Sequence, residues 1–109
     1  MSAFVSALQH AEVPVIMELK RRSAEGVDLF DGRSPEEIVA LYQTLGAPCL
    51  SVVTGSWFGG DDDLLREVAA LTAVPLLKKD FVTNERQVIQ AKRLGAAAVL
   101  LTAELLPGR

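Results

Sequence analysis

Pro14-Val15-Ile16-Met17-Glu18-Leu19-Lys20, echoed by Pro75-Leu76-Leu77-Lys78-Lys79-Asp80, decides the fold. Each is a short apolar run led by proline and closed by charge, the pattern of a strand bounded by turn signals. The first predicts a strand over residues 15–19; the second predicts a shorter strand that stops at the lysines. Two further runs read the same way. Cys49-Leu50-Ser51-Val52-Val53-Thr54 follows Pro48, and Ala97-Ala98-Val99-Leu100-Leu101-Thr102 lies near the end of the chain. Strands this apolar are covered on both faces, as in a parallel sheet.

Helical patterns fill the gaps. Ser34-Pro35-Glu36-Glu37 is a capping box with proline at the first helical position, followed by an apolar stripe of Ile38, Leu41, Tyr42 and Leu45 and a stop at Gly46. Asp61-Asp62-Asp63 opens a second helix, where carboxylates suit the positive end of the macrodipole, with Leu64, Leu65, Val68 and Leu71 as its buried face. Asn84-Glu85-Arg86-Gln87 starts a third, with Val88, Ile89 and Leu94 inward and Gly95 as the stop. Residues 2–10 read as a short leading helix with Phe4, Val5 and Leu8 on one side, within a leading segment over 1–12. The order is αβαβαβαβ, and strands joined through helices are parallel with right-handed crossovers. The whole chain, 1–109, reads as one domain.

The two proline-led units differ in length. The first carries about a dozen extra residues, which fall in Lys20–Arg33 between its strand and its helix. In an α/β barrel that loop lies on the C-terminal face, where active sites sit. Four such strands fit either a small open, doubly wound sheet or half of a (β/α)₈ barrel, which as a whole takes about 250 residues. A half-barrel leaves two sheet edges and an apolar inner face to be covered by a partner.

Composition narrows the function. Of 109 residues half are apolar, and the formal net charge is −3. With acidic residues outnumbering basic ones 14 to 11 and no basic run, nucleic acid is not an expected partner. No apolar stretch reaches the roughly 20 residues of a membrane span. The single cysteine, Cys49, excludes an internal disulfide framework and fits a reducing, cytoplasmic compartment. One histidine and one cysteine supply neither a transition-metal site nor a Ser/His/Asp triad, so no metal is expected.

Among residues able to do chemistry, Glu18 and Lys20 lie two apart at a strand end and so share a face. Such a pair at a barrel mouth can shuttle protons or hold an anion; it can equally be a strand-end salt bridge. Lys78 and Lys79 point to opposite faces, so one of them at most turns inward. The alternative is two solvated lysines after a short strand. Trp57-Phe58-Gly59-Gly60 offers aromatics in a glycine-rich loop, suited to stacking on an aromatic substrate or to a hydrophobic contact.

Four segments in order resemble one family. Val15-Ile16-Met17-Glu18-Leu19-Lys20-Arg21-Arg22-Ser23 resembles the first-strand E-x-K-R-x-S signature of indole-3-glycerol phosphate synthase, a (β/α)₈ or TIM-barrel lyase of tryptophan biosynthesis. Leu50-Ser51-Val52-Val53-Thr54 with Phe58-Gly59-Gly60 is similar to its S-V-L-T…F-x-G segment. Pro75-Leu76-Leu77-Lys78-Lys79-Asp80-Phe81-Val82 resembles its P-[IV]-L-x-K-D-F-[IV] third strand. Gln87, Ala91-Lys92-Arg93-Leu94-Gly95-Ala96 and Val99-Leu100-Leu101 resemble its fourth-strand approach. Together they cover about residues 14–105.

The resemblance implies a half-barrel of four parallel strands with flanking helices, the first half of the TIM barrel. It implies decarboxylative ring closure of 1-(2-carboxyphenylamino)-1-deoxyribulose 5-phosphate, a phosphorylated anthranilate-derived substrate, with no cofactor. Lys79 would be the general acid, Lys20 would contact the carboxylate, and Glu18 would orient the lysines and take part in proton transfer. Ser23 would lie near the phosphate, and Phe58 and Phe81 would line the aromatic pocket. Three features depart from the family pattern. Gly55 stands where the family carries an acidic residue, and Glu25 enters the loop at Ser23-Ala24-Glu25-Gly26. The sequence also runs out after the fourth strand pattern. The expectation is therefore weak or no turnover by the chain alone, with a homo-oligomer or a complementing C-terminal half closing the barrel. The alternative is a noncatalytic half-barrel scaffold or partner-binding module.

Overall fold

The computed structural model describes residues 2–101. It runs α1 (Ala3–Gln9), β1 (Ile16–Leu19), α2 (Pro35–Thr44), β2 (Cys49–Val53), a 3-10 turn (Ser56–Phe58), α3 (Asp62–Leu71), β3 (Leu76–Val82), α4 (Glu85–Arg93) and β4 (Ala98–Leu101). The four strands form one sheet in the order β1-β2-β3-β4, every neighbouring pair parallel. This is the half-barrel arrangement of four parallel strands with flanking helices.

Local chemistry sets the element ends. Ser34 and Asn84 each form a full capping box, with Glu37 and Gln87 reaching back to the cap. Asp61 accepts from the Leu64 amide at the start of α3. Gly46 and Gly95 follow the caps of α2 and α4 with φ of +80° and +108°, the left-handed geometry that ends a helix.

Alternation along the strands separates two faces. Leu19, Leu50, Val52 and Leu76 pack with Ile38, Val39, Leu64, Leu65 and Val68 into a helix–sheet core. On β2 all five residues are buried, so its second face is covered as well. At the other end of the chain, α1 packs on β2 and buries Phe4.

The structure corrects several boundaries and faces. β3 does not stop before the lysines: it continues through Lys78-Lys79-Asp80-Phe81 to Val82. The two lysines are therefore strand residues with opposite fates, not a solvated tail. Lys78 is only 6% exposed and pairs with Asp62 of α3 at 3.0 Å. β2 ends at Val53, leaving Thr54 outside it, while β4 begins at Ala98; Thr102 lies outside the described residues. In α2 the sheet-facing stripe is Ile38, Val39 and Tyr42, and Leu41 and Leu45 are exposed on its flank. In α4, Ala91 and Leu94 face inward, whereas Val88 and Ile89 are exposed. Val5 of α1 is exposed too. Each of these helices meets the sheet along a narrow stripe, and the apolar residues beside that stripe are only partly covered.

Candidate active site

The C-terminal ends of β1, β2 and β3 bring the polar residues together. Parallel register sets Glu18 opposite Ser51, and Val53 opposite Lys79. Across these three strands Lys79 Nζ donates to Glu18 Oε1 at 3.1 Å. Ser51, 3% exposed, donates its hydroxyl to the same carboxylate oxygen at 3.2 Å. The Glu18 backbone is held from the helix layer, where the Tyr42 hydroxyl donates to its carbonyl at 2.6 Å. Burial, and secondarily the charge of Glu18, push the Tyr42 phenol above its ordinary value. Burial likewise raises the Cys49 thiol, which leaves it a buried packing group.

Lys20, one step beyond the end of β1, places its ammonium 4.4 Å from the centre of the Phe58 ring. Both belong to the wall of a cavity of about 230 Å³ lined by Lys20, Val53, Gly55, Phe58, Lys79, Asp80, Phe81 and Leu100. The cavity therefore offers apolar and aromatic surface with two ammonium groups and one carboxylate set into it. The register of β3 against β4 shifts between Lys78 and Val82, and within that irregular stretch three successive residues, Lys79 to Phe81, reach the same cavity. Asp80 is oriented by two donors: the Thr54 hydroxyl at 2.8 Å and the Phe81 amide at 2.7 Å.

The 20–33 loop is folded against this rim. The Arg22 amide donates to the Phe58 carbonyl at 3.0 Å, and Arg21 stacks on the buried Phe30 ring. Gly60 closes the turn after β2. An added Cβ there would stand 2.2 Å from the Val53 carbonyl oxygen, so only glycine fits.

Of the residues singled out from sequence, Lys20, Lys79, Phe58 and Phe81 share the cavity. Glu18 touches Lys79 but lies off the cavity wall. Ser23 stands apart: its hydroxyl accepts from the Val27 amide within its own loop. Sequence reading passed over Ser51, Tyr42, Thr54 and Asp80. Ser51 did carry a signal, as the one polar residue inside an apolar strand; Tyr42 carried none, because it read as a core position. Among the described residues no three His, Cys, Asp or Glu side chains are grouped to hold a metal ion, and no helix is long and apolar enough to cross a membrane.

Parallel strands in the order β1-β2-β3-β4, joined by helices and with charged and aromatic residues gathered on their C-terminal rim, form one half of a (β/α)₈ barrel. The family model for indole-3-glycerol phosphate synthase matches residues 1–108. The chain belongs to the indole-3-glycerol phosphate synthase family. It is 42% identical over 108 residues to indole-3-glycerol phosphate synthase 2 of Streptomyces coelicolor, covering 97% of this chain and 42% of the relative. The synthase of Leptothrix cholodnii is 43% identical over 106 residues, covering 96% and 40% respectively. The tryptophan biosynthesis protein TrpCD of Archaeoglobus fulgidus is 38% identical over 95 residues, covering 87% of this chain and 17% of that protein. The chain thus spans about two fifths of the length of the first two relatives.

Proposed function

We propose that this chain supplies the first half of the active site of an indole-3-glycerol phosphate synthase, acting in tryptophan biosynthesis in a cytoplasmic setting. The observation that carries the reading is the meeting of Lys79, Glu18, Lys20 and Phe58 on one rim. The substrate is 1-(2-carboxyphenylamino)-1-deoxyribulose 5-phosphate. Phe58 and Phe81 provide apolar ring surface for its aminobenzoate part, and Lys20, set over Phe58, meets its carboxylate. Ser23 in the neighbouring loop serves the phosphate end.

In the reaction the ring carbon that bears the carboxylate attacks the ketone carbon, and a new carbon–carbon bond forms. Lys79 delivers a proton to the ketone oxygen as that bond forms. Carbon dioxide then leaves, its bonding pair restoring the aromatic ring. Loss of the new hydroxyl as water, together with a proton from the adjacent carbon, completes the indole. Proton transfers and decarboxylation account for every electron, so the chemistry calls for no redox cofactor. Glu18 keeps the Lys79 ammonium at the cavity wall and takes part in returning its proton.

The residues 1–109 act as one (βα)₄ unit, and a further (βα)₄ unit closes it. Val15 and Ile16 at the β1 edge are 41% and 45% exposed, and Leu100 and Leu101 at the β4 edge are 44% and 50% exposed. These flanking apolar residues and the strand edges left open among the described residues are what a completed barrel would cover. A complementing C-terminal half restores a full rim; a second copy closes the ring but duplicates the first-half residues.

The test is to assay indole formation by fluorescence for the chain alone, and for the chain mixed with the polypeptide that completes the barrel of the Streptomyces coelicolor relative. Turnover is expected only in the mixture. There, Lys79→Ala should lower kcat by about 10²-fold or more, as loss of a general acid does. Turnover unaffected by Lys79→Ala would refute the assignment. A dimer without turnover in either arm would favour the scaffold reading.

A further inference from the structure

We infer that Ser51 is a positioning residue that fixes the Glu18 carboxylate and, through it, the Lys79 ammonium. The inference rests on the proposed role of Lys79 for its consequence in turnover, while its contacts are independent of that role. Ser51 is 3% exposed in the middle of β2 and stands opposite Glu18 in the β1–β2 ladder. A buried hydroxyl is costly to leave unpaired, and this one gives its proton to Glu18 Oε1 at 3.2 Å. Lys79 Nζ takes the same oxygen at 3.1 Å from the other side.

Both bonds converge on Oε1, so among the described residues Oε2 carries no side-chain or backbone donor. The carboxylate is thereby fixed in one rotation about its last bond, with one oxygen tied and the other open. The backbone beneath it is fixed as well, by Tyr42 at the Glu18 carbonyl. A side chain on a four-residue edge strand would otherwise be free to swing. Here it is held at its carbonyl and at its carboxylate by two different layers of the fold.

Lys79 is 45% exposed along its side chain, and Glu18 is its only ionic partner among the described residues. The place of its ammonium on the cavity wall therefore depends on where Glu18 points. Without the Ser51 hydroxyl, Glu18 loses the donor on the buried side and can follow Lys79 outward into solvent. The pair would persist as a surface ion pair, but away from the wall.

The experiment measures how fast an amine-acylating reagent, acetic anhydride at trace level, modifies Lys79 relative to the exposed Lys92 in the full chain, read by peptide mass spectrometry. Ser51→Ala should raise the Lys79-to-Lys92 ratio about threefold, the scale of one charge-assisted hydrogen bond discounted for exposure. Ser51→Thr, which keeps the hydroxyl, should return it toward the parent value. In a Glu18→Gln background, Ser51→Ala should add nothing. A purely structural serine would leave the ratio unmoved, and an unmoved ratio in folded Ser51→Ala, where Glu18→Gln does move it, overturns the inference. If the alanine variant does not fold, Ser51→Cys, of similar size but a weak donor, carries the same two outcomes. A shifted ratio in a chain whose completed barrel makes no indole would refute the proposed function and still support the placement of Glu18 by Ser51.

Discussion

Replacing Asp62 by alanine should destabilise the chain through Lys78, a residue that no chemistry at the rim requires. Lys78 sits on the helix-facing side of β3, 6% exposed, and its ammonium meets Asp62 of α3 at 3.0 Å. Removing one member of a buried ion pair costs about 3–5 kcal/mol, because the other charge stays desolvated. Asp62 is 46% exposed along its side chain, so water can reach part of the vacated space, and the expected loss falls to about 2 kcal/mol. For a domain of this size that lowers Tm by roughly 8–16 °C. Asp62 also lies in the first turn of α3, where its charge favours the helix by about 0.5 kcal/mol whatever Lys78 does. The two contributions separate in a cycle. Lys78→Met places an apolar chain of similar length in the core and should stay within about 1 kcal/mol of the parent. In that background Asp62→Ala should cost only the helix contribution. Urea unfolding followed by far-UV circular dichroism, with m held common, gives all four values. If Asp62→Ala costs the same in both backgrounds, Lys78 is not a buried charge in need of its partner, and the account of β3 fails.

Two further outcomes follow from single contacts. Because the Tyr42 phenol is raised above 10.0, the unfolded chain loses that proton first as pH climbs, and stability falls from pH 10 upward through the folded value. Tyr42→Phe should cost about 1 kcal/mol at neutral pH, by removing the hydroxyl that donates to the Glu18 carbonyl, and should lose less stability than the parent above pH 10 in paired urea titrations. An equal alkaline loss in both proteins would show that the phenol is not responsible. Gly60→Ala should cost about 2 kcal/mol or more, since the new methyl meets the Val53 carbonyl at 2.2 Å; an unchanged urea midpoint would contradict the tight turn.

How much of this was legible beforehand depends on the range of the interaction concerned. Helix starts at Ser34, Asp61 and Asn84 are local hydrogen-bond motifs, and the sequence states them directly. So does the placement of Lys78 and Lys79 on opposite faces, which follows from strand alternation alone. Charge at Lys78 reads as the end of β3, yet the strand runs on because Asp62, sixteen positions earlier, meets that ammonium inside the core. No local pattern announces a partner on another element. The same reason hid Tyr42, whose hydroxyl finds Glu18 across the helix–sheet boundary, and Asp80, which lines the cavity from the irregular stretch of β3 and meets Thr54 of another segment. The exposed Leu41, Val88 and Ile89 show the converse: an apolar residue near a helix stripe reads as core whether or not a neighbour covers it.

The two adjacent lysines give β3 an unusual sensitivity to length. Substituting residues along it leaves each side chain on its own side, but inserting or deleting one residue before Lys78 would exchange the pair between layers. The ammonium that now anchors a helix would then face the hollow, and the one at the hollow would turn into the helix–sheet seam and lose Glu18. Change along this strand should therefore run by replacement, with its residue count between Pro75 and Asp80 held fixed.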